Sequence, residues 1–106
     1  MSTKLNRSHL ICGKDTLILP CLGRTELDLQ ATGPQQVTVE NSMSMVHASR
    51  GQHWPAGPQL RSEPAIVAGI AKADLGKQGP DWDELVADYD CIRTKIACGD
   101  SCLQGL

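Results

Sequence analysis

The side chains best able to bind a ligand lie between Ser42 and His53, in a long stretch rich in turn-forming residues. They are a group of hydroxyl, imidazole and guanidinium side chains: Ser42, Ser44, His47, Ser49, Arg50 and His53. Hydroxyl and guanidinium donors in such a mixture can bind a phosphate or the polar edge of a heterocycle. Because loops are usually polar, a solvated loop is the competing interpretation of the same residues.

The cysteines are the second group with possible chemistry, and there are five of them: Cys12, Cys21, Cys91, Cys98 and Cys102. Cys98 and Cys102 have the spacing C-x3-C, with Cys91 seven residues earlier, and thiolates so placed can hold zinc or an iron–sulfur cluster. No C-x-x-C pair occurs and the nearest preceding histidine is His53, so unligated cysteines are the favoured interpretation. The odd number, without an export signal, indicates reduced thiols.

Other catalytic arrangements find little support. Asp81 and Glu84 have the residue types of a general acid and base, but their spacing is typical of the capped start of a helix. Residues 23–26 follow an apolar run yet lack the glycine spacing of a dinucleotide-binding or Walker loop. No Ser–His–Asp or Cys–His arrangement can be argued from the order of the residues.

The elements that must position these residues begin with a strand. Residues 15–20 form an apolar run that predicts a short buried strand ended by Pro20, which cannot donate to a ladder. From Cys21 to Leu60 the chain has no helical periodicity, and only residues 36–40 alternate as a strand, with Val37 and Val39 on one face. Since structureless loops beyond about 12–15 residues are uncommon in compact domains unless they bind something, this stretch is expected to be either a ligand-facing segment or disordered when alone.

Two helices follow the long segment. Ser62 is placed to cap the first, with Pro64 near its start and Gly76 at its end, and its apolar residues cover more than one face, as in a helix buried between layers. Asp81 is placed to cap the second, which runs to Ile96 with apolar residues at i, i+3, i+4 and i+7.

Composition narrows the class of protein. Ten basic and twelve acidic side chains among 106 residues give a net charge of −2 without a basic stripe, so we expect no nucleic-acid partner. No run approaches the roughly 20 apolar residues of a membrane span or the apolar region of a signal peptide, so we expect a soluble, cytoplasmic protein with no membrane span. Aromatic residues are only 3%, which predicts a thin core that depends on neighbours.

Residues 19–26 and 39–51 together resemble part of the alpha subunit of the formate-dehydrogenase-like molybdopterin oxidoreductases. Residues 6–10, residues 62–75 and the Asp88-Tyr89-Asp90 segment are similar as well, so the resemblance spans roughly residues 5–96. The most specific part is the serine–methionine segment that ends in His-Ala-Ser-Arg-Gly at residues 47–51.

The resemblance implies an α/β fold class: a fragment of a doubly wound parallel-sheet domain with one or two strands, a long loop and two helices. In that family a large catalytic subunit binds molybdenum between two molybdopterin guanine dinucleotides, often with a 4Fe-4S cluster. The long loop would then lie on the cofactor side of the sheet, beyond the carboxyl ends of the strands. The residues expected to face the cofactor are Arg24, Glu26, Ser42, Ser44, His47, Ser49 and Arg50.

The chain also departs from the family. The cluster-binding cysteines and the molybdenum ligand fall outside the matched region, and residues 97–106 form an unmatched tail that contains Cys98 and Cys102. We therefore expect residues 1–96 to be a partial molybdopterin oxidoreductase domain that binds no cofactor and is inactive alone, with the remaining parts of the subunit as its partners. The alternative is a small stand-alone module that binds a nucleotide-like ligand or a metal. A small complete enzyme is the third and least favoured possibility.

Overall fold

A computed structural model describes residues 13–99 of the chain. Expectations for Cys12, Cys102 and residues 6–10 lie outside the described residues, as does most of the 97–106 tail. Within these residues, four strands precede three helices: β1 (Leu29–Gln30), β2 (Gly33–Pro34), β3 (Val37–Glu40), β4 (Val46–Ser49), α1 (Glu63–Leu75), α2 (Trp82–Ala87) and α3 (Tyr89–Cys98). The predicted α/β class is confirmed.

The strands form two small antiparallel pairs, β1 with β2 and β3 with β4. Parallel pairing occurs at two isolated bridges, Cys21 with Arg61 and Glu26 with His53. These bridges connect segments far apart in sequence, as the crossovers of a parallel sheet do. The architecture is therefore compatible with a fragment of a larger α/β domain, although its own two sheets are antiparallel.

The strand predicted at residues 15–20 is wrong. The described structure assigns no ladder to residues 15–19, and Leu17 and Ile18 are 82% and 51% exposed. Pairing begins only where Arg61 N donates to Pro20 O at 3.2 Å and Leu22 N donates to Arg61 O at 2.9 Å. An apolar run of strand length needs neighbouring strands to become a ladder, and the described part of the chain pairs none with these residues.

The long segment after Pro20 contains more regular structure than its turn formers suggested. The predicted strand at residues 36–40 is confirmed as β3, but β4 was missed because its residues were assigned to a polar loop. β3 and β4 form a hairpin in which Val37 pairs with Ser49 and Val39 with His47. Two of the candidate ligand-binding residues, His47 and Ser49, therefore lie on a strand.

The first helix begins and ends where its capping residues predict. Ser62 Oγ accepts a hydrogen bond from Ala65 N at 3.3 Å, and Gly76 adopts a φ of 60° just after Leu75. Only Ile66 and Ala68 of α1 are buried. Large apolar side chains on the rest of the helix stay open to solvent, among them Val67, Ile70 and Leu75. Much of the apolar surface of α1 is therefore exposed in the described residues, whereas its sequence pattern predicted a helix buried between layers.

The second predicted helix is two helices, separated at Asp88. Asp81 Oδ1 caps α2 by accepting from Asp83 N and Glu84 N at 3.0 and 3.1 Å. Asp88 has an extended backbone, with φ −146°, and its carboxylate accepts from Asp90 N at 2.9 Å, which starts α3. An aspartate that bonds the backbone two residues ahead competes with helix continuation, so apolar periodicity alone did not reveal the break.

The hydrophobic core of the described residues is small. Its buried members are Cys21, Ile66, Ala68, Leu85 and Tyr89. Two polar residues, Gln35 and Ser62, are buried among them. Burying a polar group is costly unless it is hydrogen-bonded. The packing of the core therefore depends on the hydrogen-bond partners of Gln35 and Ser62.

Candidate functional site

A hydrogen-bonded group surrounds Tyr89, whose side chain is 2% exposed and belongs to the buried core of the described residues. Its hydroxyl donates to the carboxylate of Asp28 and lies 2.6 Å from Ser62 Oγ. Gln30 Nε2 donates to Asp28 Oδ1 at 2.6 Å and to Ser62 Oγ at 3.3 Å. These contacts join the segment before β1, the cap of α1 and the start of α3. We call Asp28, Gln30, Gln35, Ser62 and Tyr89 the tyrosine network.

Gln35 is the second buried connection in the tyrosine network. Its Oε1 accepts from Tyr89 N at 2.9 Å, while its Nε2 donates to Thr32 Oγ1 and Gly33 O at 3.0 and 3.1 Å. Thr32 Oγ1 in turn donates to Ala87 O at 2.7 Å. The carbonyl at the end of α2 and the amide at the start of α3 are therefore both satisfied by residues next to β2, which stabilises the break between the helices.

The electrostatics of the tyrosine network keep its phenol neutral. Burial raises the pKa of Tyr89 far above its ordinary value, and the hydrogen bond to Asp28 raises it further. A phenol with so high a pKa is a poor general acid at neutral pH. The network is therefore better suited to holding the fold than to proton transfer.

Glu26 lies where the chain segment that follows Cys21 contacts the segment that follows β4. We call this contact the Glu26 crossing. Its carboxylate accepts from Gly23 N at 2.5 Å and from Ala56 N at 2.6 Å, and these two backbone hydrogen bonds lower its pKa. Leu27 N donates to His53 O at 2.7 Å across the same crossing. Gly51 passes so close that a Cβ atom there would lie 2.0 Å from Glu26 O. Glu26 thus has a structural position in the described residues.

A cleft of about 990 Å³ opens between the base of the hairpin and helices α1 and α2. Its walls are largely apolar, with Val37 and Val39 on one side and Val67 and Leu85 on the other. Polar groups along the cleft come from the candidate residues Arg24, Glu26 and Ser49 and also from Asp28, Gln35, Ser62 and Glu63. An apolar cleft with a few polar groups is the usual form of a small-molecule site.

The candidate residues fall into two groups in the structure. Arg24, Glu26 and Ser49 line the cleft, whereas Ser42, Ser44 and His47 are exposed on the β3–β4 hairpin and its turn. Arg50 is exposed and follows β4 without lining the cleft. The expectation that all of them face one cofactor stays a prediction.

The turn of the hairpin is organised by Asn41, which sequence reasoning missed. Asn41 Oδ1 accepts from Met43 N at 2.9 Å and from Met45 N at 3.1 Å, and Asn41 Nδ2 lies 2.9 Å from His47 Nε2. Ser44 takes a positive φ of 59° within this turn. An Asn directly after an alternating run is a signal for such a turn, because its side chain bonds the backbone two residues ahead.

The cysteines show no metal site within residues 13–99, where no three His, Cys, Asp or Glu side chains are placed to hold a metal ion. Cys21 is buried, Cys91 is half-buried and Cys98 is exposed near the end of α3. Burial raises the pKa of Cys21, with the charge of Glu63 as the next cause. Cys102 of the C-x3-C pair lies outside the described residues.

The chain is similar to curated proteins, some of which are named as oxidoreductases. It is 51% identical over 98 residues to "Uncharacterized oxidoreductase Rv2900c" of Mycobacterium tuberculosis, a match that covers 92% of this chain. It is 57% identical over 96 residues to "Protein YdeP" of Escherichia coli K12, which covers 91% of this chain. The chain spans 13% of the length of each of these relatives.

Two further comparisons gave no match: no family model and no solved structure corresponds to the chain. Within the described residues, none of the helices is long and apolar enough to cross a membrane.

Proposed function

We propose that this chain is a segment of the catalytic subunit of a molybdopterin-dependent oxidoreductase of the formate-dehydrogenase-like type, cytoplasmic and inactive by itself. The observation that carries the proposal is the 51% identity over 98 residues to a much longer protein named as an oxidoreductase. The molybdopterin assignment adds the resemblance carried by residues 19–26 and 39–51.

The exposed apolar surface supports a segment that packs against other parts of a subunit. Val67 and Ile70 on α1 are 49% and 54% exposed, and Leu17 before the first bridge is 82% exposed. Burying such side chains contributes roughly 1.5–3 kcal/mol each when the burial is complete. The rest of the parent subunit is the partner that would supply this burial.

The cleft has a donor set that fits part of the proposed cofactor. The Arg24 guanidinium and the Ser49 hydroxyl suit a phosphate oxygen, while the carboxylate of Glu63 suits the N–H edge of a guanine or pterin ring. When bound, the molybdenum–pterin group supplies the redox chemistry of such enzymes. The residues of this chain would bind and orient one edge of it, and the metal ligand would come from elsewhere in the subunit.

A chimaera tests the proposal. The 98 matched residues of the mycobacterial relative are replaced by those of this chain, and molybdenum and pterin are measured in the purified protein by mass spectrometry and by fluorescence after oxidation. We expect both in the unaltered relative and in the chimaera. Removing the charge-assisted contact in Arg24→Ala should weaken pterin retention by about tenfold. A matched control, Lys77→Ala, removes an exposed positive charge beyond α1 and should retain the pterin.

Absence of molybdenum and pterin from both the relative and the chimaera would contradict the proposal. An equal loss of pterin in the Arg24→Ala and Lys77→Ala variants would contradict the assignment of the cleft, because surface charge alone would then account for retention.

The second candidate function is a stand-alone module that binds a nucleotide-like ligand, and the cleft of about 990 Å³ favours it. A thermal melt of the isolated chain with and without guanosine monophosphate separates the two. A ligand present at 100 times its Kd stabilises the folded state by about 2.7 kcal/mol, so a stand-alone module would melt cooperatively and at a higher temperature with the nucleotide. A subunit segment would show a weak transition that the nucleotide leaves unchanged.

A further inference from the structure

We infer that Asn41 is a positioning residue for His47: it holds the neutral imidazole in the tautomer with hydrogen on Nδ1, so that one N–H donor is presented to an acceptor oxygen of a bound ligand. The juxtaposition is Asn41 Nδ2 at 2.9 Å from His47 Nε2 on the β3–β4 hairpin. The ligand-binding half of the inference rests on the proposed function, whereas the tautomer does not.

The orientation of the Asn41 amide is set by the backbone of the turn. Its Oδ1 accepts from Met43 N at 2.9 Å and from Met45 N at 3.1 Å. A rotated amide would aim an NH₂ group at two N–H groups and lose both hydrogen bonds. The backbone hydrogen bonds from Asn41 N to Met45 O and from Ser44 N to Asn41 O, both at 3.0 Å, fix the turn around it. The NH₂ group therefore faces His47.

The tautomer follows from the donor that His47 meets. Nδ2 of an amide only donates, so Nε2 of the imidazole must be the acceptor. In a neutral imidazole the other nitrogen then carries the hydrogen, which makes Nδ1 the donor. Free imidazole side chains favour the opposite tautomer, with hydrogen on Nε2. Asn41 thus changes which hydrogen-bonding group this histidine offers.

The surroundings of His47 leave its donor available. Its side chain is exposed, and the neighbouring Ser42 and Ser44 in the turn are exposed as well. A single directed N–H suits a phosphate or carbonyl oxygen, which are acceptors only. The hairpin therefore presents a preorganised hydrogen-bonding edge, made by strand pairing and by Asn41 together.

Nitrogen NMR of the 106-residue chain tests the tautomer at about pH 8.5, where an ordinary histidine is neutral. The His47 signal is assigned by its loss in His47→Gln. We expect hydrogen on Nδ1 in the unaltered chain. In Asn41→Asp the carboxylate can still accept from Met43 N and Met45 N but offers His47 an acceptor, so the hydrogen should move to Nε2. Hydrogen on Nε2 in the unaltered chain, or the same tautomer in both proteins, would overturn the inference.

The chimaera tests the ligand contact with pterin retention as the readout. Asn41→Asp should lower pterin retention, because Nδ1 of His47 would then be an acceptor facing an acceptor oxygen of the ligand. His47→Asn should retain more pterin than His47→Ala, because an asparagine Nδ2 lies close to the position of the histidine Nδ1. Equal retention in Asn41→Asp and the unaltered chimaera would overturn the donor role. A chimaera without any pterin would contradict the proposed function, while the NMR result would still decide the tautomer.

Discussion

The tyrosine network and the hairpin turn are both polar networks within residues 13–99, and they differ in the distance along the sequence that their hydrogen bonds span. The tyrosine network joins Asp28, Ser62 and Tyr89 from three separate elements, and Tyr89 is 2% exposed. The hairpin turn joins Asn41 to Met43, Met45 and His47, all within six residues and all exposed. The first network sets how elements pack, whereas the second sets the shape of one turn.

The difference has an energetic consequence. A buried polar group that loses its partner costs about 1–3 kcal/mol, and more for a charged group, because water cannot replace the lost bond. An exposed group is resolvated when its partner leaves, so the cost is smaller. We therefore expect the tyrosine network to control the stability of the chain and the hairpin turn to control only local order.

Loss of the Tyr89 side chain should have the largest effect. Tyr89→Ala removes a buried aromatic ring and should destabilise the fold by about 3–5 kcal/mol, which is enough to unfold a chain with so small a core. Urea unfolding followed by the fluorescence of Trp54 and Trp82 measures the change. Tyr89→Phe keeps the ring and should cost about 1–3 kcal/mol, because Asp28 loses its hydroxyl donor. Ile96→Ala, at a side chain 75% exposed, is the control.

A Cβ atom at position 51 should have the next largest effect on the free energy of unfolding. Gly51 lies at the Glu26 crossing, just after the β3–β4 hairpin. Gly51→Ala would place that atom 2.0 Å from Glu26 O, so the backbone crossing must shift, at about 1–3 kcal/mol. Gly57→Ala is the matched control, because nothing lies within 4 Å of a Cβ there. Similar urea midpoints for the two variants would show that the crossing is looser than its geometry implies.

Local signals in the sequence predicted local structure. Helix starts are marked by Ser62 and Asp81, whose side chains accept hydrogen bonds from backbone N–H groups two or three residues ahead. The end of α1 is marked by Gly76, because glycine readily takes the positive φ found there. The alternation at Val37 and Val39 likewise predicted β3. These signals work because the partner of each residue is near it in sequence.

Long-range partners were not predictable in the same way. Nothing in the sequence links Gln35 with Tyr89 N, or Asp28 with the Tyr89 hydroxyl, because a buried polar pair carries no periodicity. The strand at residues 15–20 was predicted from apolar character alone, and it lacks a ladder because a strand also needs a neighbour. The division of the candidate residues between cleft and hairpin depends on the β3–β4 pairing, for which only β3 had a signal.

Acid should weaken the Glu26 crossing by a smaller amount. The pKa of Glu26 is lowered in the folded chain by its hydrogen bonds to Gly23 N and Ala56 N. A lowered folded pKa contributes stability above the unfolded pKa, about 4.3 for a glutamate, and that contribution is lost as the pH falls through the folded value. The unaltered chain should therefore lose stability relative to Glu26→Gln between about pH 5 and pH 3, as measured by urea midpoints. A constant difference across this range would contradict the role of the carboxylate.

The smallest global effect is expected from the hairpin turn. Asn41→Ala removes the acceptor of Met43 N and Met45 N, but both amides can bond water, so the free energy of unfolding should fall by only about 0.5–1 kcal/mol. Hydrogen exchange should show the change locally, with faster exchange at Met45 and little change at Tyr89. Ser42→Ala, one residue along in the same exposed turn, is the control. If Asn41→Ala instead accelerated exchange at Tyr89 as much as at Met45, the two networks would form one cooperative unit, and the hairpin would contribute to the core as well as to its own turn.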